Sequence, residues 1–222
     1  MLDFDTFCAE YCRILKQNKL ERFCDLHIIR TFYEFTNLLT EENNHTNLTA
    51  IREIPDIITK HYADCLLSES YFPQGANVLD VGCGGGFPTI PLAIARPDLK
   101  ITAVDSTQKK INFVQKTADA LGLSNVTAIC ARAEAPELRR FRESFDVVTS
   151  RAMARMPILV ELTLPFAKIG GCMIALKGAQ GEIELTESIR AIPALGGDSS
   201  TICKKLALKT DTDEESRTIL IV

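Results

Sequence analysis

The stretch that most constrains the fold is NVLDVGCGGGFPTIPLAIA, residues 77–95. Its first apolar run predicts a buried strand, and Gly82, Gly84 and Gly86 follow at alternate positions. The second apolar run has a proline near its first turn and predicts a helix. A strand, a glycine-rich turn and a helix in this order are typical of α/β sheets that bind nucleotide cofactors, because glycines let the ligand approach the backbone.

The spacing of the glycines separates two classes of cofactor. Dinucleotide sites use GxGxxG, but this turn reads GxGxG, and Phe87 stands where the third glycine would be. Asp80 would repel a pyrophosphate and suits a ligand with a cationic amino-acid end. S-adenosylmethionine has an amino group, a sulfonium and no phosphate, so we predict it as the cofactor. Its predicted ligands within the turn are Asp80, Gly82, Gly84 and Gly86.

Two further segments are expected at the same edge of the sheet. Asp105 ends the next predicted strand, where a carboxylate accepts hydrogen bonds from both ribose hydroxyls. The segment ARAEA follows the third strand and places Ala133 and Glu134 beside the adenine. Because these positions end adjacent strands, one ligand can contact all of them. An NAD-dependent oxidoreductase is the alternative, but no histidine suited to hydride relay is expected near this edge.

The chain changes character at about residue 72. Residues 1–72 show helical periodicity in three segments and predict an N-terminal helical extension. Residues 73–222 alternate short apolar strands with amphipathic helices, which predicts an α/β domain with a mostly parallel sheet. The C-terminal segment predicts two strands around an acidic turn, so an antiparallel strand is expected at that end of the sheet.

Composition limits the possible partners. The formal net charge is −4, so an anionic polymer must be bound by a local basic patch. None of the eight cysteines forms a CxxC pair and histidines number three, so no metal site is predicted. The sequence shows no signal peptide and no apolar run long enough for a membrane span. We therefore expect a cytoplasmic protein with free thiols, and, without a heptad pattern, a monomer.

Seven segments occur together in a specific order and spacing: NLTAI, HYADCLL, LDVGCGGGFPTIPLAIA, VDSTQKKINFV, RAEA, DVVTSRAMA and ALKGA. Together they resemble the RsmG family, also called glucose-inhibited division protein B, closely over residues 45–180. The resemblance implies a Rossmann-like class I methyltransferase fold in residues 73–222. It also implies methyl transfer from S-adenosylmethionine to N7 of a guanine in 16S ribosomal RNA of the small subunit.

The resemblance also implies a set of cofactor contacts: Gly82, Phe87, Ala133, Glu134 and Arg151. The chain departs from the family pattern at Cys65, Cys83 and Thr89, where the family commonly has Ser, Thr or Ser, and Gly. These exchanges change little volume, so we expect binding to survive them, although Thr89 narrows a close helix contact.

The implied acceptor agrees with the motifs that the chain lacks. Guanine N7 carries a free lone pair on the major-groove edge, so its methylation needs neither deprotonation nor a covalent adduct. The segment SRAMA stands where methylases of exocyclic amines resemble one another in (D/N)PP(Y/F), and no Pro-Cys pair is present. We therefore expect no general base and predict that catalysis rests on positioning.

Basic and polar residues near the sheet edge are the candidates for acceptor contacts. Arg151 and Lys177, after strands four and five, are the predicted catalytic residues. The predicted RNA-binding residues are Asn47, His61, Arg155 and Lys177. The structural alternatives are a surface salt bridge for Arg151 and Arg155, and a cap or helix-to-sheet hydrogen bond for Asn47 and His61. A non-catalytic cofactor-bound module that docks on ribosomes is the remaining alternative function.

Overall fold

The computed structural model describes residues 3–198 and 200–222. Its N-terminal region is helical, with α1 (Phe4–Gln17), a 3-10 turn (Glu21–Phe23), α2 (Leu26–Glu42), α3 (Ile54–Ile57), a π-helix (Ile58–Ala63) and α4 (Asp64–Leu66). The carboxylates of Asp3 and Asp25 accept backbone hydrogen bonds at the starts of α1 and α2, which fixes where these helices begin. The last three segments follow one another without a break, and we call them together the third helical run.

The sheet has seven strands in the described residues: β1 (Asn77–Val81), β2 (Lys100–Asp105), β3 (Val126–Cys130), β4 (Phe145–Arg151), β5 (Ala167–Lys177), β6 (Ile202–Lys209) and β7 (Glu214–Ile221). Their order is β3-β2-β1-β4-β5-β7-β6. Strands β1 to β5 pair in parallel, and β7 is antiparallel to both of its neighbours. This confirms the predicted mostly parallel sheet with an antiparallel C-terminal strand.

The helices of the sheet region are α5 (Thr89–Ala95), α6 (Gln108–Ala120), α7 (Met156–Thr163), α8 (Gly181–Ser188) and α9 (Ala191–Ala194). Strand order reverses between β1 and β4, and ligands of such sheets bind at the carboxyl ends of strands at this point. Val81 and Arg151 mark those ends here. Within the described residues, no helix combines the length and apolar character needed to cross a membrane.

The N-terminal helices share the core of the sheet. Phe35 and Tyr62 belong to the same buried apolar cluster as Val78 and Phe87. The ring centroids of Phe35 and Phe87 lie 5.7 Å apart, so α2 packs directly against the segment that follows the glycine turn. The helical extension thereby reaches the ligand edge of the sheet, and the domain boundary at residue 72 stays a prediction.

One predicted boundary differs in the structure. The acidic segment DTDEESR was expected as a turn, but β7 begins inside it at Glu214. Glu214 lies directly opposite Lys209 on β6, and opposite charges in such cross-strand positions stabilise the pairing. The turn is therefore shorter than its composition indicates.

Candidate active site

The three glycines of the turn all have the left-handed backbone conformation that favours glycine, with φ of 78° at Gly82, 56° at Gly84 and 90° at Gly86. Their surroundings differ. A Cβ at Gly86 would lie 2.8 Å from Ile90, whereas one at Gly84 would have no heavy atom within 4 Å. Gly84 thus borders open space. Gly86 faces α5, so helix packing explains this glycine better than the predicted cofactor contact.

A cleft of about 350 Å³ opens beside this turn, and it is lined by residues of the first three strand ends and of the loop after β4. Asp105, Ala133, Glu134 and Met153 are among them. The Asp105 carboxylate accepts hydrogen bonds from Gly84 N–H at 3.0 Å and Thr107 N–H at 2.8 Å, one at each oxygen. Each oxygen keeps further lone-pair capacity for a hydroxyl donor. The structure therefore brings together Gly82, Asp105, Ala133 and Glu134 as the sequence predicted.

Asp80 lies on β1 and is fully buried. Its Oδ2 accepts a hydrogen bond of 2.6 Å from the Thr89 hydroxyl, but its Oδ1 has no partner among the described residues. Burial raises the pKa of the Asp80 carboxyl to about 7. A buried oxygen without a donor is costly, so this position fits a ligand that brings a cationic or N–H donor group. Thr89 stands where the family commonly has Gly, and its hydroxyl holds the Asp80 carboxylate in place through this hydrogen bond.

Phe87 and His61 form a stacked pair next to the turn. The ring centroids lie 4.2 Å apart at 20°, and both side chains are buried. His61 Nε2 lies 2.7 Å from Thr49 Oγ1, and Nδ1 lies 3.2 Å from Arg151 Nη1. Burial and the Arg151 charge lower the pKa of His61 to about 3, so the imidazole is neutral. The Phe87 ring packs in the core, and only its backbone is left for a cofactor.

The same geometry contradicts the predicted RNA contact of His61. The ring is buried and both of its nitrogens already have partners. Because Arg151 can only donate, Nδ1 accepts and Nε2–H donates to Thr49. His61 is therefore a link between the π-helix and the end of β4, as the helix-to-sheet alternative proposed.

Arg151 anchors the end of β4 to the third helical run. Its Nη2 lies 3.0 Å from Asp64 Oδ2 and donates to the Lys60 carbonyl at 2.7 Å. Asp64 also binds Arg217 on β7 through a 2.6 Å hydrogen bond, so one buried carboxylate is shared by two arginines. Arg151 is therefore neither part of an exposed salt bridge nor a cation without a partner. Its contacts make it a positioning residue, which corrects its assignment as a catalytic group.

A second cavity of about 490 Å³ lies on the other side of the loop after β4. We call it the Lys177 pocket, and its charged lining residues are Asp64, Arg151, Arg155, Lys177, Glu184 and Arg217. Lys177 Nζ donates to the Ala154 carbonyl at 2.5 Å and pairs with Glu184 at 2.8 Å. An ammonium has three N–H donors, so one remains for a ligand. Met153 lines this pocket and the cleft, and it lies between them.

The other two predicted RNA-binding residues are exposed. Arg155 Nη2 donates to both carboxylate oxygens of Glu187, at 2.6 and 2.7 Å, at the rim of the Lys177 pocket. Asn47 lies in the loop that follows α2, which Asn43 holds by accepting hydrogen bonds from Leu48 N–H and Thr49 N–H. Leu48 in turn contacts the glycine turn, since a Cβ at Gly85 would lie 3.4 Å from it. Asn47 is thus next to a residue that contacts the turn, and Arg155 lies at the rim of the Lys177 pocket.

The amino-acid sequence matches the family model described as rRNA small subunit methyltransferase G, GidB, over residues 28–211. The chain belongs to this family. Among its relatives, a ribosomal RNA small subunit methyltransferase G of Clostridium botulinum is 45% identical over 176 residues, which cover 78% of this chain and 74% of the relative. The protein of the same description from a Geobacillus species is 43% identical and covers 86% of this chain and 80% of its own length.

Solved structures show the same fold at low identity. An O-methyltransferase of Bacillus cereus in complex with SAH superimposes with a TM-score of 0.62 at 18% identity, over 99% of this chain and 100% of that one. A predicted O-methyltransferase of Agrobacterium tumefaciens gives a TM-score of 0.58 at 12% identity, over 71% and 78%. The class I methyltransferase fold is therefore confirmed.

Membership of the methyltransferase G family confirms the resemblance read from the seven segments. It confirms the expected enzyme class, an rRNA methyltransferase, and the expected cofactor, S-adenosylmethionine. An NAD-dependent oxidoreductase is not favoured.

Sequence reasoning missed three features of the methyltransferase G site. Met153 separates the two cavities, Thr89 supports Asp80, and Asp64 is shared by Arg151 and Arg217. The signal for Met153 was available, because it belongs to the SRAMA segment at a strand end. No local signal pointed to Arg217, which lies 153 positions from Asp64.

Proposed function

We propose that this chain transfers the methyl group of S-adenosylmethionine to N7 of a guanine in 16S ribosomal RNA. The observation that carries the proposal is the contiguity of two cavities, since Met153 lines both the cleft at Asp105 and the Lys177 pocket. Membership of the methyltransferase G family supports small-subunit ribosomal RNA as the substrate. We expect the enzyme to work as a cytoplasmic monomer.

The residues of the cleft fit the cofactor. Asp105 would accept hydrogen bonds from the ribose hydroxyls, and Ala133 and Glu134 would border the adenine. Asp80 does not line the cleft itself; it lies buried next to Val81 and Gly82, which do, and its unpartnered Oδ1 would receive the ammonium of the amino-acid end. When bound, the cofactor supplies an electrophilic methyl group on its sulfonium. No heavy atom lies within 4 Å of a Cβ at Gly84, so this ligand has room at that position of the turn.

The Lys177 pocket suits a guanine. Guanine presents O6 and N7 as neighbouring acceptors on one edge. The third N–H of Lys177 can hold O6 and leave the N7 lone pair free to attack the methyl group. The carboxylates of the pocket are engaged, because Asp64 binds Arg151 and Arg217 while Glu184 binds Lys177. This reaction needs no general base, and the alignment of the two reactants supplies the rate acceleration.

The test is a methylation assay on small ribosomal subunits from a strain that lacks the modification. We expect isotope-labelled methyl groups from S-adenosylmethionine to appear in 16S ribosomal RNA, and nucleoside mass spectrometry to identify 7-methylguanosine. Lys177→Met should lower the turnover number and leave affinity for S-adenosylhomocysteine unchanged. Label in another nucleoside would overturn the assignment of guanine N7 as the methyl acceptor. No incorporation at saturating cofactor would favour the non-catalytic docking module.

Cofactor affinity should depend on pH through Asp80. The folded-state pKa of about 7 lies above the unfolded value, so the cofactor-free fold loses stability as pH rises through about 7. The ammonium of the cofactor binds the ionised carboxylate, so affinity should rise in the same range. We expect the dissociation constant of S-adenosylhomocysteine to fall about tenfold between pH 6 and pH 8 by calorimetry.

Asp80→Asn is the matched control, because the amide cannot ionise but can still accept the Thr89 hydrogen bond. Its affinity should be weaker and flat across this range. Equal pH profiles for Asp80→Asn and the wild type would show that Asp80 does not contact the cofactor.

A further inference from the structure

A basic groove of about 520 Å³ lies between the end of α1 and strand β6. We define it by four exposed cations, Lys19, Arg22, Lys205 and Lys209, and by Glu214, the one acid that lines it among the described residues. Four cations and one acid give this lining a formal charge of +3, in a chain whose net charge is −4. The groove is therefore a local departure from the charge of the whole chain, as an anionic partner requires.

The two walls of the basic groove are fastened to each other. Asn18, at the end of α1, is buried and donates to the Lys209 carbonyl at 3.1 Å. The Lys209 N–H donates back to Asn18 Oδ1 at 2.8 Å. This reciprocal pair joins a helix end to a strand that lies 191 positions away in the chain. The backbones that carry Lys19 and Lys209 are thereby held together before any partner binds.

The cations of the groove can exchange their present partners for phosphate. Arg22 pairs with Glu69 at 3.0 Å and Lys205 with Glu182 at 2.8 Å, and these two cationic side chains are 50% and 63% exposed. Both partners of the Lys205–Glu182 pair are exposed, and such pairs contribute little to stability, so a phosphate group can replace Glu182. Glu69 is 12% exposed and also pairs with Arg96, so it keeps a cationic partner when Arg22 turns to a phosphate. The salt bridges of the described residues include neither Lys19 nor Lys209, although Lys209 stands opposite Glu214 on β7.

The basic groove is continuous with the Lys177 pocket. Leu67 and Leu206 line both, so the two cavities meet at these side chains. A base held at Lys177 is covalently joined to a sugar and to phosphates on either side, and these continue along the strand. A strand that leaves the pocket across Leu67 and Leu206 enters the groove directly.

We propose that the basic groove binds the phosphate backbone of the single-stranded RNA that flanks the methylated nucleotide. This inference rests on the proposed function and adds to it the path of the substrate. The groove holds phosphates without reading bases, since lysine and arginine contacts to phosphate carry no sequence information. An acidic protein segment would also match the charge, but it would not explain why the groove runs into the pocket that receives the base.

The test removes two groove cations, Lys205→Ala with Lys209→Ala, and measures methylation of small ribosomal subunits at several salt concentrations. We expect KM for the subunit to rise about tenfold, while kcat and the dissociation constant of S-adenosylhomocysteine stay those of the wild type. The slope of log KM against log salt should become shallower by about 1.4, or about 0.7 for each lost contact to a single strand. Anisotropy with a labelled single-stranded oligoribonucleotide should show the same loss of affinity.

Two control variants make the result specific. Lys109→Ala with Lys116→Ala removes two exposed lysines from α6, which packs near the opposite edge of the sheet, and should change neither KM nor the slope. Lys205→Arg with Lys209→Arg keeps the charges that neutralise phosphates, so its KM and salt slope should be those of the wild type.

The outcomes separate the two proposals. A wild-type enzyme that methylates no RNA would overturn the proposed function, and the groove assignment with it. An active wild type together with a double alanine variant of unchanged KM and salt slope would overturn the groove assignment alone. Unchanged RNA affinity with lost affinity for poly-glutamate would assign the groove to an acidic protein instead.

Discussion

Gly84→Val should abolish binding of S-adenosylhomocysteine. A Cβ at this position meets no heavy atom within 4 Å, so the valine side chain would extend into open space at the turn where the cofactor is expected. The φ of 56° also strains a β-branched residue, at a cost of about 1–2 kcal/mol. We expect the dissociation constant measured by calorimetry to rise at least about 100-fold, with a melting temperature lower by a few degrees.

Gly75→Val separates the two effects. Gly75 has a φ of 69°, is exposed, and also has no heavy atom within 4 Å of a Cβ. It lies in the turn before β1, at the end of the strand remote from the cleft. The backbone strain should therefore be similar, but affinity for S-adenosylhomocysteine should stay that of the wild type. Wild-type affinity in Gly84→Val would contradict the placement of the cofactor at the glycine turn.

Arg151→Ala should impair both stability and turnover. The substitution leaves the Lys60 carbonyl without its donor and removes one of the two arginines that bind Asp64. A partly buried acceptor without a partner costs about 1–3 kcal/mol, and we expect the free energy of unfolding to fall by about 2 kcal/mol in urea titrations. Because the third helical run is then no longer fixed to β4, the Lys177 pocket loses its shape, and kcat should fall up to about 100-fold.

Two variants distinguish positioning from general destabilisation. Arg151→Lys keeps the charge but not the forked geometry that reaches the Lys60 carbonyl and Asp64 together, so it should restore stability better than kcat. Arg155→Ala removes an exposed arginine from the loop that follows β4 and should leave the melting temperature unchanged. A wild-type kcat in Arg151→Ala would show that this residue has no part in aligning the reactants.

The sequence predicted the central strands well because parallel strands buried on both faces are continuous apolar runs. The segment KITAVD coincides with β2, and Asp105 at its end lines the cleft as expected. The glycine turn could also be predicted, because the left-handed backbone at these positions favours glycine, as at Gly82 and Gly84. The sequence could therefore predict the course of the backbone and the positions at which strands end.

Side chains whose roles depend on distant partners could not be placed in this way. His61 looked available for RNA, but its burial depends on Phe87 and its protonation on Arg151. Met153 owes its position between the cavities to the loop at Ala152, whose φ of 54° is uncommon for a residue with a Cβ. The local periodicity of the sequence does not predict contacts between residues that are distant in the chain.

The most direct test of the assigned site is a crystal structure of this chain with S-adenosylhomocysteine. We expect the ribose hydroxyls within hydrogen-bond distance of Asp105, the adenine beside Ala133 and Glu134, and the sulfur directed past Met153 toward the Lys177 pocket. A ligand whose sulfur points away from that pocket, or a cleft that stays without ligand at saturating concentration, would contradict it.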